Sequence, residues 1–283
     1  KKLKMYSSFL RKKFNQSLFE IYSSEELNII YYNIMQQLTN KSKVELMTNN
    51  YELSHVKEKL FFEYITRLSN NEPLQYVLGN TIFNKLEFDL NSSVLIPRPE
   101  TEELVDLIIK YECKKEKILD IGSGSGCIAV TLAKYIEKSN VTALEICSNA
   151  VKIIHKNAKK HNVKMNIICE DFLTFNTNST FDLIVSNPPY IAYSQKDKIS
   201  KNILNYEPHK ALFVDDGDPL VFYKSILDFS KSNLNKDGNI FFEINHIFCD
   251  EMIQLVSKYQ VFSYKLIKDF HEKNRFMILQ KNV

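Results

Sequence analysis

Seven short apolar runs after residue 104 limit what this chain can fold into more than any other feature. They occupy 117–121, 141–145, 166–169, 181–186, 239–244, 262–267 and 276–280. Runs of this length, bounded by polar and turn residues, read as buried strands. Helical patterns separate the first five, and such alternation predicts a mainly parallel, doubly wound sheet with helices on both faces. The last two runs have no convincing helix between them and are expected to pair as an antiparallel edge. The expected class is α/β, with a mostly parallel seven-stranded sheet.

Residues 1–78 follow another period. Apolar residues recur at three and four in Leu27-Ile30-Tyr31-Ile34-Leu38 and in Val56-Leu60-Phe61-Tyr64-Ile65-Leu68, which is helical spacing. Ser23 and Ser24 ahead of Glu25 and Glu26 make a helix start with acids in its first turn. A small bundle of about four helices is expected. The front end holds Lys1, Lys2, Lys4, Arg11, Lys12 and Lys13 without an acid before Phe14. This reads as a solvated helix face, with Leu3, Tyr6, Leu10, Phe14 and Leu18 turned inward, or as the remnant of an organelle transit segment. The expected compartment is the cytoplasm, or an organelle under the second reading.

A net charge of +3, from 37 basic and 34 acidic residues, argues against a nucleic-acid coat or a membrane-surface protein. No apolar stretch has the length to span a bilayer. Cys113, Cys127, Cys147, Cys169 and Cys249 form no C-x-x-C pair and are expected to be small buried thiols. The histidines are scattered without ligand spacing, so no metal site is expected.

Between the two regions, Ile82-Phe83 and Leu86-Glu87-Phe88-Asp89-Leu90 alternate at period two around Asn84-Lys85, which predicts a β-hairpin. In Ile96-Pro97-Arg98-Pro99-Glu100-Thr101-Glu102-Glu103 the prolines forbid helix up to position 99. Thr101 is expected to cap the helix that follows, with Glu102 and Glu103 in its first turn.

The run Ile118-Leu119-Asp120-Ile121 passes into Gly122-Ser123-Gly124-Ser125-Gly126 and then a helix. Glycines allow a ligand to approach the backbone, and a helix start offers free N–H groups. The spacing is G-x-G-x-G, so neither the dinucleotide fingerprint nor a triphosphate loop fits. Glu145 ends the next strand, placed to take hydrogen bonds from both hydroxyls of a ribose. Glu170, Asp171 and Phe172 follow the third strand, where an acid and an aromatic can bind and cover an adenine. Acids and carbonyls without phosphate-binding lysines suit the positive sulfonium of S-adenosyl-L-methionine. Asp120 is expected to hold the loop or to lie near the methionine amino group.

Asn187-Pro188-Pro189-Tyr190 follows the buried run Asp182-Leu183-Ile184-Val185-Ser186. Prolines have no N–H and a fixed φ, so the turn presents bare carbonyl oxygens beside the Asn187 amide oxygen. Such acceptors beside an aromatic ring suit a planar NH2 group, although a plain turn uses the same residues. With the glycine loop, the pattern is that of methyl transfer to an amino or amide nitrogen. The expected arrangement has the Asn187 oxygen and the Pro188 carbonyl accepting the two N–H groups while Tyr190 packs on the amide plane.

Glu72-Pro73-Leu74-Gln75-Tyr76 with Gly79, Ile96–Glu102, Tyr206-Glu207-Pro208 and Ala211-Leu212 complete a pattern that resembles the HemK-type release factor glutamine methyltransferases. These are class I, Rossmann-like enzymes that use S-adenosyl-L-methionine. The resemblance implies methylation of the glutamine amide in the Gly-Gly-Gln motif of a peptide chain release factor, with S-adenosyl-L-homocysteine as product. The expected division is a helical bundle over 1–78, read as docking the release factor in preference to a fold-stabilising cap, a β-hairpin linker over 79–98 and a methyltransferase domain over 99–283. The resemblance also implies cofactor contacts at Gly122, Ser123, Gly124, Ser125, Gly126, Glu145, Phe172 and Asn187, to which the strand-end pattern adds Asp120 and Asp171. Substrate contacts are implied at Asn187, Pro188, Pro189 and Tyr190, with Asn187, Pro188 and Tyr190 in the chemistry. Glu145 stands where aspartate is common, one methylene longer. A monomer without membrane or nucleic-acid partners is expected. The competing readings are an adenine-N6 methyltransferase acting on DNA or RNA, which wants a basic, aromatic-bearing face, and a cofactor-binding partner protein without turnover.

Overall fold

The computed structural model describes residues 6–282. Lys1, Lys2, Leu3 and Lys4, part of the basic front end, lie outside the described residues. The chain forms two compact units, one taking the chain up to Gly79 together with Ser200–Tyr206, the other Asn80–Ile199 with Glu207–Val283.

The first unit is helical: α1 (Ser7–Leu18), α2 (Ser24–Thr39), α3 (Lys43–Thr48), α4 (His55–Ser69) and α5 (Leu74–Leu78). Among the described residues five helices precede Gly79 where about four were expected, because α3 and α5 are short helices of six and five residues. Ser23 and Glu26 close a capping box at the start of α2, answering two of the N–H groups a helix start leaves open. Leu10, Phe14 and Leu18 of α1 are fully buried, as the three-and-four spacing requires.

The second unit opens with the hairpin β1 (Asn80–Phe83) and β2 (Leu86–Asp89). Phe83 and Phe88 are fully buried in the same core cluster as Leu104, Val105 and Ile128, so the hairpin is packed into this unit. Then come α6 (Pro99–Lys110), β3 (Lys117–Ile121), α7 (Cys127–Tyr135), β4 (Asn140–Glu145), α8 (Ser148–Lys160), β5 (Asn166–Cys169), β6 (Phe181–Ser186) and β7 (Ile191–Ala192). After α9 (Lys201–Tyr206), which clusters with the first unit, follow α10 (His209–Leu212), β8 (Phe213–Val214), α11 (Val221–Asn233), β9 (Leu234–Glu243), α12 (Cys249–Ser257), β10 (Phe262–Lys268) and β11 (Asn274–Lys281).

Seven strands form one sheet in the order β10-β11-β9-β6-β3-β4-β5. β11 is antiparallel to both β9 and β10, while β9-β6-β3-β4-β5 are parallel. The expected class and antiparallel edge are both present. One expectation fails: no helix links β5 to β6. The 170–180 connection must return past β4 and β3, roughly 14 Å sideways at about 4.8 Å per strand, and also run back along the strands. A helix of that length reaches only about 16 Å, whereas extended chain reaches about twice as far. The thiols also differ from expectation, since Cys127 and Cys249 are buried while Cys169 is exposed at the end of an edge strand.

Register sets the site. Ile121 pairs with Leu144 and with Ser186, Glu145 with Cys169, and Ser186 with Phe242. Gly122, Glu145, Glu170, Asn187 and Glu243 therefore gather at the carboxyl edge of the parallel strands, where open α/β sheets bind ligands. No described helix is long and apolar enough to cross a membrane.

Candidate active site

The strand-to-helix turn after β3 is held from three sides. Gly122, Gly124 and Gly126 all have positive φ, at 74°, 55° and 78°. A Cβ on Gly126 would stand 3.0 Å from the Ile154 side chain, whereas one on Gly124 would meet nothing within 4 Å. Gly126 thus serves the packing of α7 on α8, and Gly124 leaves open space beside the backbone. Asn157 of α8, fully buried, donates from Nδ2 to the Ser125 and Asp89 carbonyls at 2.9 and 3.1 Å, tying loop to hairpin. Gly124→Ala is expected to cost about 1–2 kcal/mol of stability through left-handed strain and to weaken S-adenosylhomocysteine binding. Denaturation and calorimetry read the two effects separately.

Asp120 lies beneath this loop, fully buried, and its Oδ2 accepts from the Ala129 N–H at 3.2 Å. It is thereby a capping acid for the first turn of α7, supplied by the preceding strand. Burial pushes its carboxyl up to about 7. An acid with a raised folded-state pKa lends stability that is full below its unfolded pKa and is lost as pH rises through about 7. Asp120→Asn should therefore gain on the parent in urea midpoint as pH rises from acid to neutral. A difference independent of pH would refute this assignment.

The loop forms one wall of a cleft of about 530 Å³, a size typical of small-ligand sites. Gly122, Gly124, Glu145, Asp171, Phe172, Asn187, Pro188 and Pro189 line it. Glu145 accepts the Gly124 N–H on Oε2 and the Cys147 N–H on Oε1, both at 2.8 Å. Each carboxylate oxygen has capacity for a second hydrogen bond, so the pair keeps acceptors for neighbouring hydroxyls. Phe172 is buried edge-on against Phe229 at 5.5 Å and lines the cleft. Glu170 is a third acid on the lining, and Lys210 adds a single ammonium. An acid-rich, partly apolar cleft with an open glycine turn fits S-adenosyl-L-methionine. Asp120, Ser123, Ser125 and Gly126 are not among the lining residues and shape the loop from behind.

The Asn187–Tyr190 turn leaves β6 at the same edge. Ser186 Oγ donates to the Ile121 carbonyl at 2.8 Å, fixing the end of β6 to the end of β3. Asn187 Nδ2 donates to Thr101 Oγ1 at 3.1 Å, and Thr101 Oγ1 donates to Glu243 Oε2 at 2.7 Å. Among the described residues nothing donates to Asn187 Oδ1. Tyr190 does not line the cleft. It packs part-buried against the Tyr223 and Ile244 cluster, with its phenol held well above its ordinary pKa by burial. Tyr193 reaches the lining where Tyr190 does not, half exposed and stacked on Phe213 at 5.2 Å and 14°.

Thr101 is not the helix cap expected of it. Arg98 is the N-cap residue of α6 with Pro99 next, and Thr101 is buried, 3% exposed. Its spacing held the signal, because Thr101, Leu104, Val105 and Ile108 recur at three and four and all face inward. Glu243 carries no local motif that marks it as a site residue. An acid inside Phe241-Phe242-Glu243-Ile244 ends the buried stretch 238–243 of β9, is 1% exposed, and is pushed up to about 7 by burial. Glu207, whose side chain is 1% exposed, accepts from Arg98 Nη2 at 2.6 Å and from the Ile96 N–H at 3.3 Å. No group of acid or thiol residues with metal-holding geometry occurs among the described residues.

Residues 74–262 match the family described as Methyltransferase small domain, and residues 10–79 match the PrmC N-terminal domain. A methyltransferase from Pyrococcus furiosus shares the fold, with a TM-score of 0.52 at 18% identity over 70% of this chain and 90% of its own. Sheet order, glycine turn and cleft thus define a Rossmann-like methyltransferase. The release factor glutamine methyltransferase of Flavobacterium psychrophilum is 39% identical over 94% of this chain and 96% of its own. That of Bacteroides thetaiotaomicron is 36% identical over 93% and 95%. The chain belongs to this family of release factor glutamine methyltransferases.

Proposed function

We propose that the protein transfers a methyl group from S-adenosyl-L-methionine to the side-chain amide nitrogen of the glutamine in the Gly-Gly-Gln motif of a peptide chain release factor. Bound in the cleft, the cofactor supplies a methyl carbon made electrophilic by the sulfonium, and S-adenosyl-L-homocysteine is the product. Gly122, Gly124, Glu145, Asp171 and Phe172 would hold it, with the acids favouring its positive charge.

The observation that carries the reading is the state of Asn187. One N–H of its Nδ2 goes to Thr101, which turns that end of the amide inward and presents Oδ1 to a substrate. An acceptor-only face there, extended by the Pro188 carbonyl, matches the two N–H donors of a primary amide. The amide lone pair is delocalised and poorly nucleophilic, so orientation and preorganised acceptors must supply most of the barrier lowering. Tyr193, stacked on Phe213 at the cleft, would cover the amide plane. The helical region 1–78 would dock the factor, and the enzyme would act in the cytoplasm as a monomer.

The test uses labelled S-adenosyl-L-methionine with a release factor, its Gln→Ala variant in the Gly-Gly-Gln motif, and duplex DNA. Label on the factor alone is expected. Label on DNA but on neither protein would overturn the reading in favour of adenine methylation.

A further inference from the structure

We propose that Thr101 and Glu243 are positioning residues: together they fix the Asn187 carboxamide with Nδ2 turned inward, so that only Oδ1 meets the substrate NH2. The inference rests on the reading that Asn187 holds the substrate amide.

An ionised carboxylate accepts only, so Thr101, 2.7 Å from Glu243 Oε2, must spend its single O–H on that bond. Thr101 Oγ1 is then an acceptor toward its other neighbour, and only the NH2 side of Asn187 can satisfy it, at 3.1 Å. The amide orientation is thus dictated two residues away, by an acid 1% exposed at the end of β9. A flipped amide would set Oδ1 against the threonine oxygen, acceptor facing acceptor, and NH2 against the substrate NH2, donor facing donor, in a site where unpaired polar groups are costly. Thr101 is well placed for this duty. Its methyl-bearing side chain sits on the buried face of α6, and α6 is anchored at its start by the Arg98–Glu207 pair.

The device depends on the charge of Glu243. Burial raises its carboxyl to about 7. Arg275 of β11 and Arg98 favour the ionised form, and Glu100 of α6 opposes it. The other titratable neighbours, Tyr190, Tyr223 of α11 and Cys127 of α7, are all held neutral by burial. Tyr223 also donates to the Glu243 backbone carbonyl at 2.9 Å, which steadies the strand end. Once protonated, Glu243 can itself donate to Thr101, the threonine hydroxyl is released to donate to Asn187, and the amide is free to turn. Turnover should therefore fall on the acid side as Glu243 takes up its proton.

The experiment compares the full-length parent with Thr101→Val, Thr101→Ser and Glu243→Gln on a release factor, between about pH 5.5 and 9. Thr101→Val keeps the shape and removes the hydroxyl, and should lower kcat about 10–100-fold with the KM for S-adenosyl-L-methionine little changed. Thr101→Ser should restore most of kcat. Glu243→Gln should flatten the acid limb onto a lowered plateau. A second readout needs no turnover: the Asn187 side-chain amide protons, assigned by their loss in Asn187→Ala, should exchange slowly in the parent and fast in Thr101→Val. Normal kcat and equal exchange in Thr101→Val would overturn the proposal. So would an acid limb unmoved in Glu243→Gln, or losses that track weakened S-adenosylhomocysteine binding or a lowered melting temperature. If the parent methylates no release factor but the exchange pattern holds, the substrate reading fails and the positioning survives.

Discussion

Replacing Asn187 by alanine is expected to lower turnover on a release factor by about 10²–10³-fold, the loss typical of removing one preorganised polar group from a reacting centre. The loss should fall mainly on kcat. Asn187 stands at the end of β6 with its NH2 taken up by Thr101, so its oxygen is oriented before any substrate arrives. Alanine leaves the Pro188 carbonyl as a lone acceptor, and one bond fixes neither the aim nor the rotation of an amide. Aspartate at the same position would keep an oxygen yet lose the donor that Thr101 accepts. It would also place a second acid beside Glu243, so it should not rescue. Turnover within a few-fold of the parent for Asn187→Ala would remove Asn187 from the chemistry.

The second large effect is one of stability. Arg98→Ala is expected to cost about 3–5 kcal/mol, because it strands a buried charge. Glu207 is 1% exposed and Arg98 30%, at 2.6 Å, so the arginine is the half of the pair with access to water. Glu207→Gln should cost less, since a neutral amide can still accept from the Ile96 N–H. The double variant Arg98→Met with Glu207→Leu should recover much of the loss, because replacing both charges by apolar groups removes the desolvation problem. Urea denaturation of the four proteins reads this directly. An Arg98→Ala midpoint close to that of the parent would show that the pair is not a clasp between the start of α6 and the segment before α10.

How much of this was legible in the sequence follows from range. The strand runs, the glycine turn and the acids closing β4 and β5 are local patterns, and each sits where period and turn chemistry place it. The antiparallel edge was readable for the same reason. The β5–β6 link was not, because strand order, which sequence spacing does not carry, decides whether a short connection can afford a helix. The supports of the site were the least visible. Thr101 and Glu243 lie 142 residues apart and Arg98 and Glu207 109 apart, and no window of local pattern spans such distances. Thr101 looked like a cap because it followed prolines and preceded acids, a sound local reading that tertiary packing overrode. Tyr190 carried the expectation of an aromatic cover, yet its ring turned into the core and Tyr193 took the exposed place.

The most direct measurement is the position of the transferred methyl group. A release factor reacted with methyl-labelled S-adenosyl-L-methionine and the parent enzyme, then digested and sequenced by tandem mass spectrometry, should carry the label on the side-chain nitrogen of the Gly-Gly-Gln glutamine. The same peptide from a reaction with Asn187→Ala should be nearly unlabelled. Label on any other residue, or an unmodified glutamine in the presence of an enzyme that binds the cofactor, would contradict the account.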